Sequence, residues 1–220
     1  MSESGAEYVI ALELSHAVDD VFQRNLKGIE NIDIVQCSID MPPLKNEAIK
    51  DGIVICHNVI QHTPSVEKTA LALWACTGKG SEYVMNWYQL YNKGILRKIR
   101  WAFHTNLRKF LCTKSQRFRY NWCRVICALR MLPIIGWFLE KSYIAVHGDV
   151  LGEKSWKKRY RTCFVITFDG YGAHEYQHHS TDDQMWAILD KMQPDREKIL
   201  NQEAVFAKPP KIGGAIRVFR

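Results

Sequence analysis

Several features that would point to particular protein classes are missing from this sequence of 220 residues. It has no run of about eighteen or more uncharged apolar residues, the length that a membrane-spanning helix needs. Its first residues contain no basic segment followed by an apolar one, so we expect no secretory signal. The seven cysteines never occur as CxxC, which argues against a disulfide framework and a zinc site. These absences favour a cytoplasmic protein with reduced thiols, either soluble or attached to a membrane surface.

Acidic residues are absent from one long segment. Positions 83–139 contain no Asp or Glu, while positions 93–130 contain eleven Lys or Arg with aromatic residues between them. Mixed helical spacing, interrupted by Pro133 and Gly136, predicts two or three helices here. Such a segment suits an anionic membrane, nucleic acid or an acidic substrate, and it is also typical of a helical cap with a solvated basic face. Because no nucleic-acid-binding motif accompanies the charge, the partner that we expect is a membrane surface, contacted through residues 93–139.

Strand-like and helix-like segments alternate in the first ninety residues. Apolar runs that are typical of strands lie at 8–12, 32–36, 52–56 and 82–87, and helical patterns lie at 16–26 and 66–76. Alternation of this kind predicts parallel βαβ units in a doubly wound α/β sheet. Near the end of the chain, the patterns predict a strand at 161–168, a helix at 181–192 and a strand at 215–219. We therefore expect a core at 1–90, a basic helical insertion at 91–160 and the rest of the core at 161–220.

Four segments, taken in order, resemble class I S-adenosylmethionine (SAM) dependent methyltransferases, particularly those that modify small molecules. They are VIALELS at 9–15, NIDIVQCSID at 31–40, DGIVICHNVIQHTP at 51–64, and TFD at 167–169 with YQHHST at 176–181. The resemblance covers about residues 8–88 and 161–220. It implies a Rossmann-like fold, SAM as cofactor, and transfer of a methyl group to a small-molecule acceptor.

The same resemblance implies which residues contact the cofactor. Glu13 matches the acidic residue on the ribose, a role that suits a carboxylate because it offers two acceptors to two hydroxyls; its alternative is a solvated acid at a strand end. Ser38 and Asp40 match the segment that faces the adenine. Cys56 and Asn58 lie at the tip of the matching fourth strand, where open α/β sheets bind ligands.

The acceptor side is implied to carry the catalytic and substrate-binding residues. His57 and His62 are the candidates for catalysis, because a neutral imidazole can take a proton from the acceptor. Either could instead be a histidine used only in packing or in a turn. Tyr176 and His179 are expected to line the substrate side. We expect no metal site, since adjacent histidines at 178–179 point to opposite faces of an extended segment.

The resemblance lacks one part of the family pattern. The family opens with a strand and a glycine-rich loop, and nothing before Tyr8 matches them. We therefore expect a Rossmann-like core that misses its first strand, either because Met1 is not the natural start or because the remaining strands close up without a complete SAM site. Two functions stay open at this point: a methyltransferase, inactive if truncated, and a non-catalytic relative that binds a partner or membrane through its basic helices.

Overall fold

The computed structural model describes residues 5–16, 18–90, 94–142, 144–145, 155–200 and 214–220. The chain divides into two compact units. Unit 1 comprises Met1–Leu90 and His178–Arg220, and unit 2 comprises Tyr91–Gln177. Residues 161–177, which were expected in the same core as residues 1–90, thus lie in unit 2.

Unit 1 contains the strands and two longer helices. Its strands are β1 Val9–Glu13, β2 Ile32–Gln36, β3 Ile53–Cys56, β4 Glu82–Asn86, β5 Tyr88–Gln89, β6 His179–Ser180, β7 Arg196–Ile199 and β8 Ala215–Phe219. Its helical segments are a π-helical turn Val18–Phe22, α1 Gln23–Asn25, a 3-10 turn Ile60–His62, α2 Val66–Cys76 and α7 Asp182–Met192. The strands predicted at 8–12, 32–36, 52–56, 82–87 and 215–219 are confirmed, whereas the helix predicted at 16–26 is mostly a π-helical turn.

The strands form separate sheets. β1 and β2 make a parallel pair, and β5 and β6 make another. The main sheet has the order β3-β4-β8-β7, in which β3 and β4 are parallel and β8 runs antiparallel to both neighbours. Among the described residues, no ladder joins β1 to β3.

Helices α2 and α7 cover one face of the main sheet. Alternate side chains of the strands, such as Tyr83, Met85 and Val218, are buried in a single apolar cluster with both helices. Both helix starts are capped, since Ser65 accepts from the backbone of Lys68 and Thr181 forms a full capping box. These caps explain why the sequence located both helices correctly.

Unit 2 is helical. Its described elements are α3 Ile95–Cys112, α4 Gln116–Arg130, α5 Pro133–Lys141, α6 Trp156–Phe168 and a π-helical turn Asp169–Ala173. The three helices α3, α4 and α5 confirm the helical prediction for this segment. None of the described helices is long and apolar enough to cross a membrane. All seven cysteines are free.

The strand predicted at 161–168 is wrong, because α6 occupies these positions. The rings of Tyr160, Phe164 and Phe168 stack at intervals of four residues, with centroids 6.3 and 5.7 Å apart. Cys163 and Thr167 are buried on α6, with sulfur and hydroxyl 3.9 Å apart. Four-residue spacing of contacts favours a helix and overrides the strand preference of the β-branched residues.

Candidate functional site at the carboxyl ends of strands β3 and β4

Two asparagines join the carboxyl ends of β3 and β4. The backbone N–H of Asn58 donates to Oδ1 of Asn86 at 2.5 Å, and Nδ2 of Asn86 donates back to Oδ1 of Asn58 at 2.7 Å. Asn58 has a φ of 56°, a left-handed conformation that asparagine adopts more readily than most residues. The chain therefore turns sharply after β3. The two hydrogen bonds between Asn58 and Asn86 hold the start of the following turn against the end of β4.

Three aromatic rings meet just beyond this pair. The ring of His62 packs edge-on against Tyr88, with centroids 5.5 Å apart. The ring of His179 contacts the same tyrosine at a tilt of 45°, with its centroid 5.3 Å from that of Tyr88. His62 ends the 3-10 turn after β3, whereas Tyr88 and His179 begin the paired strands β5 and β6. We call His62, Tyr88 and His179 the ring cluster.

One backbone and one side-chain hydrogen bond hold the segments of the ring cluster in place. The N–H of His178 donates to the carbonyl of Gln61 at 2.8 Å, which ties the 3-10 turn to β6. Gln89 donates from Nε2 to Asp182 at 2.7 Å, which ties β5 to the start of α7. The side-chain amide of Gln61 is wholly buried and has no hydrogen-bond partner among the described residues. A buried amide in this state is costly, so this position favours a water or ligand that completes its bonds.

Cys56 is the last residue of β3. Its side chain is buried within the apolar cluster of unit 1, and this burial raises the pKa of the thiol to about 11. The neutral thiol packs rather than reacts. Any contact of this residue with a cofactor would have to come from its backbone.

Glu13 ends β1, as the sequence indicated. Its Oε1 accepts from the backbone N–H of Ser15 at 2.8 Å, and its carbonyl accepts from Cys37 at 2.9 Å. The first bond holds the carboxylate at the turn that follows the strand. This is the end of the β1-β2 pair at which a ligand would meet both strands.

Ser38 and Asp40 are joined to each other after β2. The hydroxyl of Ser38 donates to Oδ1 of Asp40, and the ammonium of Lys68 donates to Oδ2 at 2.9 Å. The hydrogen bond from Ser38, followed by the bond from Lys68, lowers the pKa of Asp40. Both oxygens of Asp40 thus have partners within the chain, and the residue connects this loop to α2.

Two further residues were predicted from the sequence, His57 on the catalytic side and Tyr176 on the substrate side. His57 is exposed at the tip of β3. Tyr176 lies in unit 2, with 37% of its surface exposed. Its predicted place on the substrate side stays a prediction.

An apolar cleft of about 270 Å³ lies elsewhere in unit 1. Among the described residues its lining is formed by Val18, Phe22, Leu26, Ile29, Ile32 and Ile34. These side chains offer no hydrogen bond to a ribose, an adenine or a charged methionine group. The ring cluster is therefore the better candidate site.

Two residues of this site, Asn86 and Tyr88, were missed in the sequence. They belong to the end of β4 and to β5, and they lie about thirty positions from the His-Asn-Val-Ile-Gln-His segment that they contact. Only the parallel pairing of β3 with β4 brings them there. The available signal was their position directly after an apolar strand, where ligands of α/β sheets bind.

No protein-family model matches this sequence, and no curated protein matches it. Among solved structures, PKMT2 from Rickettsia typhi aligns with a TM-score of 0.52 and 11% identity over 90% of this chain. The two proteins share a fold. PKMT2 has also been solved in complex with AdoHcy, the product that SAM becomes when it loses its methyl group.

Other solved structures are similar over different shares of the chain. An S-adenosylmethionine dependent methyltransferase from Mesorhizobium loti is 14% identical, with a TM-score of 0.47 over 99% of this chain and 81% of its own. YcgJ from Bacillus subtilis is 17% identical, with a TM-score of 0.35 over 46% of this chain. This chain spans 43% of YcgJ and 35% of PKMT2. The α/β fold class is confirmed by the strands and helices of unit 1 and by the fold shared with PKMT2. The similar structures include proteins described as SAM-dependent methyltransferases.

Proposed function

We propose that this chain is a SAM-dependent methyltransferase that acts on a small-molecule acceptor. The observation that carries the proposal is the ring cluster at the carboxyl ends of β3 and β4, on a fold shared with PKMT2. Open α/β sheets bind their ligands at this edge. Aromatic and imidazole rings around one point suit a flat or apolar acceptor with a few polar groups.

Some of the residues that were predicted to bind SAM are free to do so in this arrangement, and others are engaged within the chain. Glu13 presents a carboxylate at the end of β1, where it would accept from the ribose hydroxyls. Asp40 is already bound by Ser38 and Lys68, so we assign it the role of holding the loop, and the adenine contact falls to the hydroxyl or backbone of Ser38. The orphaned amide of Gln61 would complete its bonds with a ligand or water.

SAM, when bound, would supply an electrophilic methyl group on its sulfonium. Asn58 and Asn86 would fix the strand tips, and Tyr88 would hold the acceptor between His62 and His179. The residues of the ring cluster would orient a nucleophilic atom of the acceptor toward that methyl group. His62 would accept the proton that the acceptor then loses. Most of the acceleration would come from holding donor and acceptor in line.

The first test is calorimetry of SAM and AdoHcy binding to the full chain. Glu13→Gln keeps the size of the side chain but removes its charge, and hydrogen bonds to charged groups contribute about 1.5–3 kcal/mol. We therefore expect the affinity for SAM to fall by roughly ten- to a hundredfold.

Glu30→Gln is the matched control. Glu30 is an exposed acid just before the amino end of β2, away from the ligand edge, and its replacement should leave the affinity unchanged. Absence of SAM binding by the folded unmodified chain would refute the proposal. An equal loss in both variants would remove Glu13 from the ribose site.

A second candidate is a non-catalytic relative that keeps the sheet as a scaffold. One observation favours it: no described ladder joins β1 to β3. We infer that a further parallel strand would fit between them, where the family has its first strand and cofactor loop. The same calorimetry separates the two candidates, since a scaffold predicts no binding of SAM.

A further inference from the structure

Helix α5 exposes almost all of its large apolar side chains. The exposed fraction is 84% for Ile134, 61% for Trp137 and 59% for Phe138, and Leu132 and Ile135 are exposed as well. A surface helix of a water-soluble unit normally turns such residues inward and leaves polar ones outside. We call these five residues the α5 patch. A contiguous apolar patch of this kind marks an interaction site.

The helix that carries the patch packs closely against the end of α4. Gly136 allows α5 to approach the end of α4 closely, since a Cβ there would lie 2.1 Å from the carbonyl oxygen of Arg130. The guanidinium of Arg130 also pairs with Glu140 on α5. The helix is therefore held on α4 by contacts that leave the patch outward, rather than by burial of the patch itself.

The unit that carries the patch is strongly basic. Residues 91–177 contain 17 Lys or Arg and 5 Asp or Glu, whereas the rest of the chain contains 13 and 18. Exposed cations lie on α4, at Arg117 and Arg124, and at Lys141 at the end of α5. The positive charge of the chain is thus concentrated on the unit with the exposed apolar helix.

From this combination we infer that unit 2 docks on an anionic lipid bilayer by inserting the α5 patch at the interface. Projecting aliphatic side chains suit a fluid acyl region, and Trp137 suits the boundary between headgroups and acyl chains. The cations of the same unit would face the lipid phosphates. Helix α3 has a similar composition, with Ile95, Ile99 and Phe103 exposed among basic residues. The inference is independent of the proposed methyl transfer.

The test is sedimentation of the full chain with phosphatidylcholine vesicles, with and without phosphatidylserine, at low and at physiological salt. We expect binding to the vesicles that contain phosphatidylserine, with an affinity that falls as salt rises. A blue shift of tryptophan emission should accompany it. Absence of binding to the anionic vesicles, or equal binding to both kinds, would overturn the inference; the first result would direct attention to an acidic protein partner.

Trp137→Ala and Trp156→Ala form a matched pair that locates the contact. Both tryptophans lie in unit 2 and are exposed to nearly the same extent, 61% and 62%, but Trp156 begins α6. We expect Trp137→Ala to lower the partition coefficient by about tenfold or more, because a large apolar side chain no longer leaves water. Trp156→Ala should change it little. An equal loss in both variants would contradict insertion through α5.

Discussion

Replacing Arg130 with Met should destabilise unit 2 by about 3–5 kcal/mol, because it removes the guanidinium that pairs with the largely buried carboxylate of Glu140. The side chains of Arg130 and Glu140 are only 8% and 20% exposed. Water can therefore replace little of what the carboxylate loses. We expect the amides of α4 and α5 to exchange with deuterium much faster in this variant, which mass spectrometry of peptides from each helix would measure.

The double variant Arg130→Met with Glu140→Leu is the decisive control. Two apolar residues of similar volume remove both charges, and such exchanges often cost little or even stabilise. The double variant should thus be more stable than Arg130→Met alone. Lys191→Met provides the exposed counterpart, since its pair with Glu67 is about half exposed and should contribute less than about 1 kcal/mol. If the double variant were as unstable as the single one, packing of the arginine stem rather than its charge would be responsible.

Most strands and the two longer helices of unit 1 could be predicted, because the residues that specify them are close together in the sequence. Helix α2 follows Pro64 and the capping Ser65 and ends at Cys76, and the predicted bounds match those observed. Strand β8 could be predicted in the same way, because it is a short apolar run. In contrast, α6 was predicted as a strand, since the benefit of stacking Phe164 on Phe168 is visible only once a helix places them together.

The candidate site was predicted in part for the same reason. His57, Asn58 and His62 lie in one continuous segment, so a resemblance to a family motif could locate them. Asn86 and Tyr88 come from the neighbouring strand end, and their contribution depends on the register in which Ile53 pairs with Glu82. A single sequence does not reveal that register. The ion pair of Asp40 with Lys68 could not be predicted either, because Lys68 lies 28 positions away on α2.

His104 should make unit 2 lose stability as the pH falls below about 6.5. Its imidazole is buried, stacked on Trp101 with centroids 5.0 Å apart and packed against Tyr171 at 4.8 Å. Burial, and to a lesser degree the charge of Arg108, lowers its pKa from 6.5 to about 4. Its Nδ1 has no hydrogen-bond partner among the described residues, so nothing there compensates for a charge.

The direction of the change in stability depends on whether the folded or the unfolded chain binds the proton. Between about pH 6.5 and 4 the unfolded chain protonates this histidine and the folded chain does not, so the free energy of unfolding falls as the pH falls. Across that window the loss approaches about 3 kcal/mol, and below the folded pKa it levels off. Urea unfolding of the full chain at a series of pH values, followed by deuterium exchange of α3, would measure it.

His104→Phe isolates this contribution from those of the carboxylates. Phenylalanine keeps a ring between Trp101 and Tyr171 but cannot take a proton, so α3 should stay folded with a flatter dependence on pH. Asp40, whose lowered pKa makes unit 1 less stable in acid, is the same in both chains and cancels in the difference. The difference between the chains should widen from pH 7 to pH 4 and change little above pH 7. Parallel curves for the two chains would show that the folded protein protonates His104 as readily as the unfolded chain does. That result would require a hydrogen-bond acceptor at its ring.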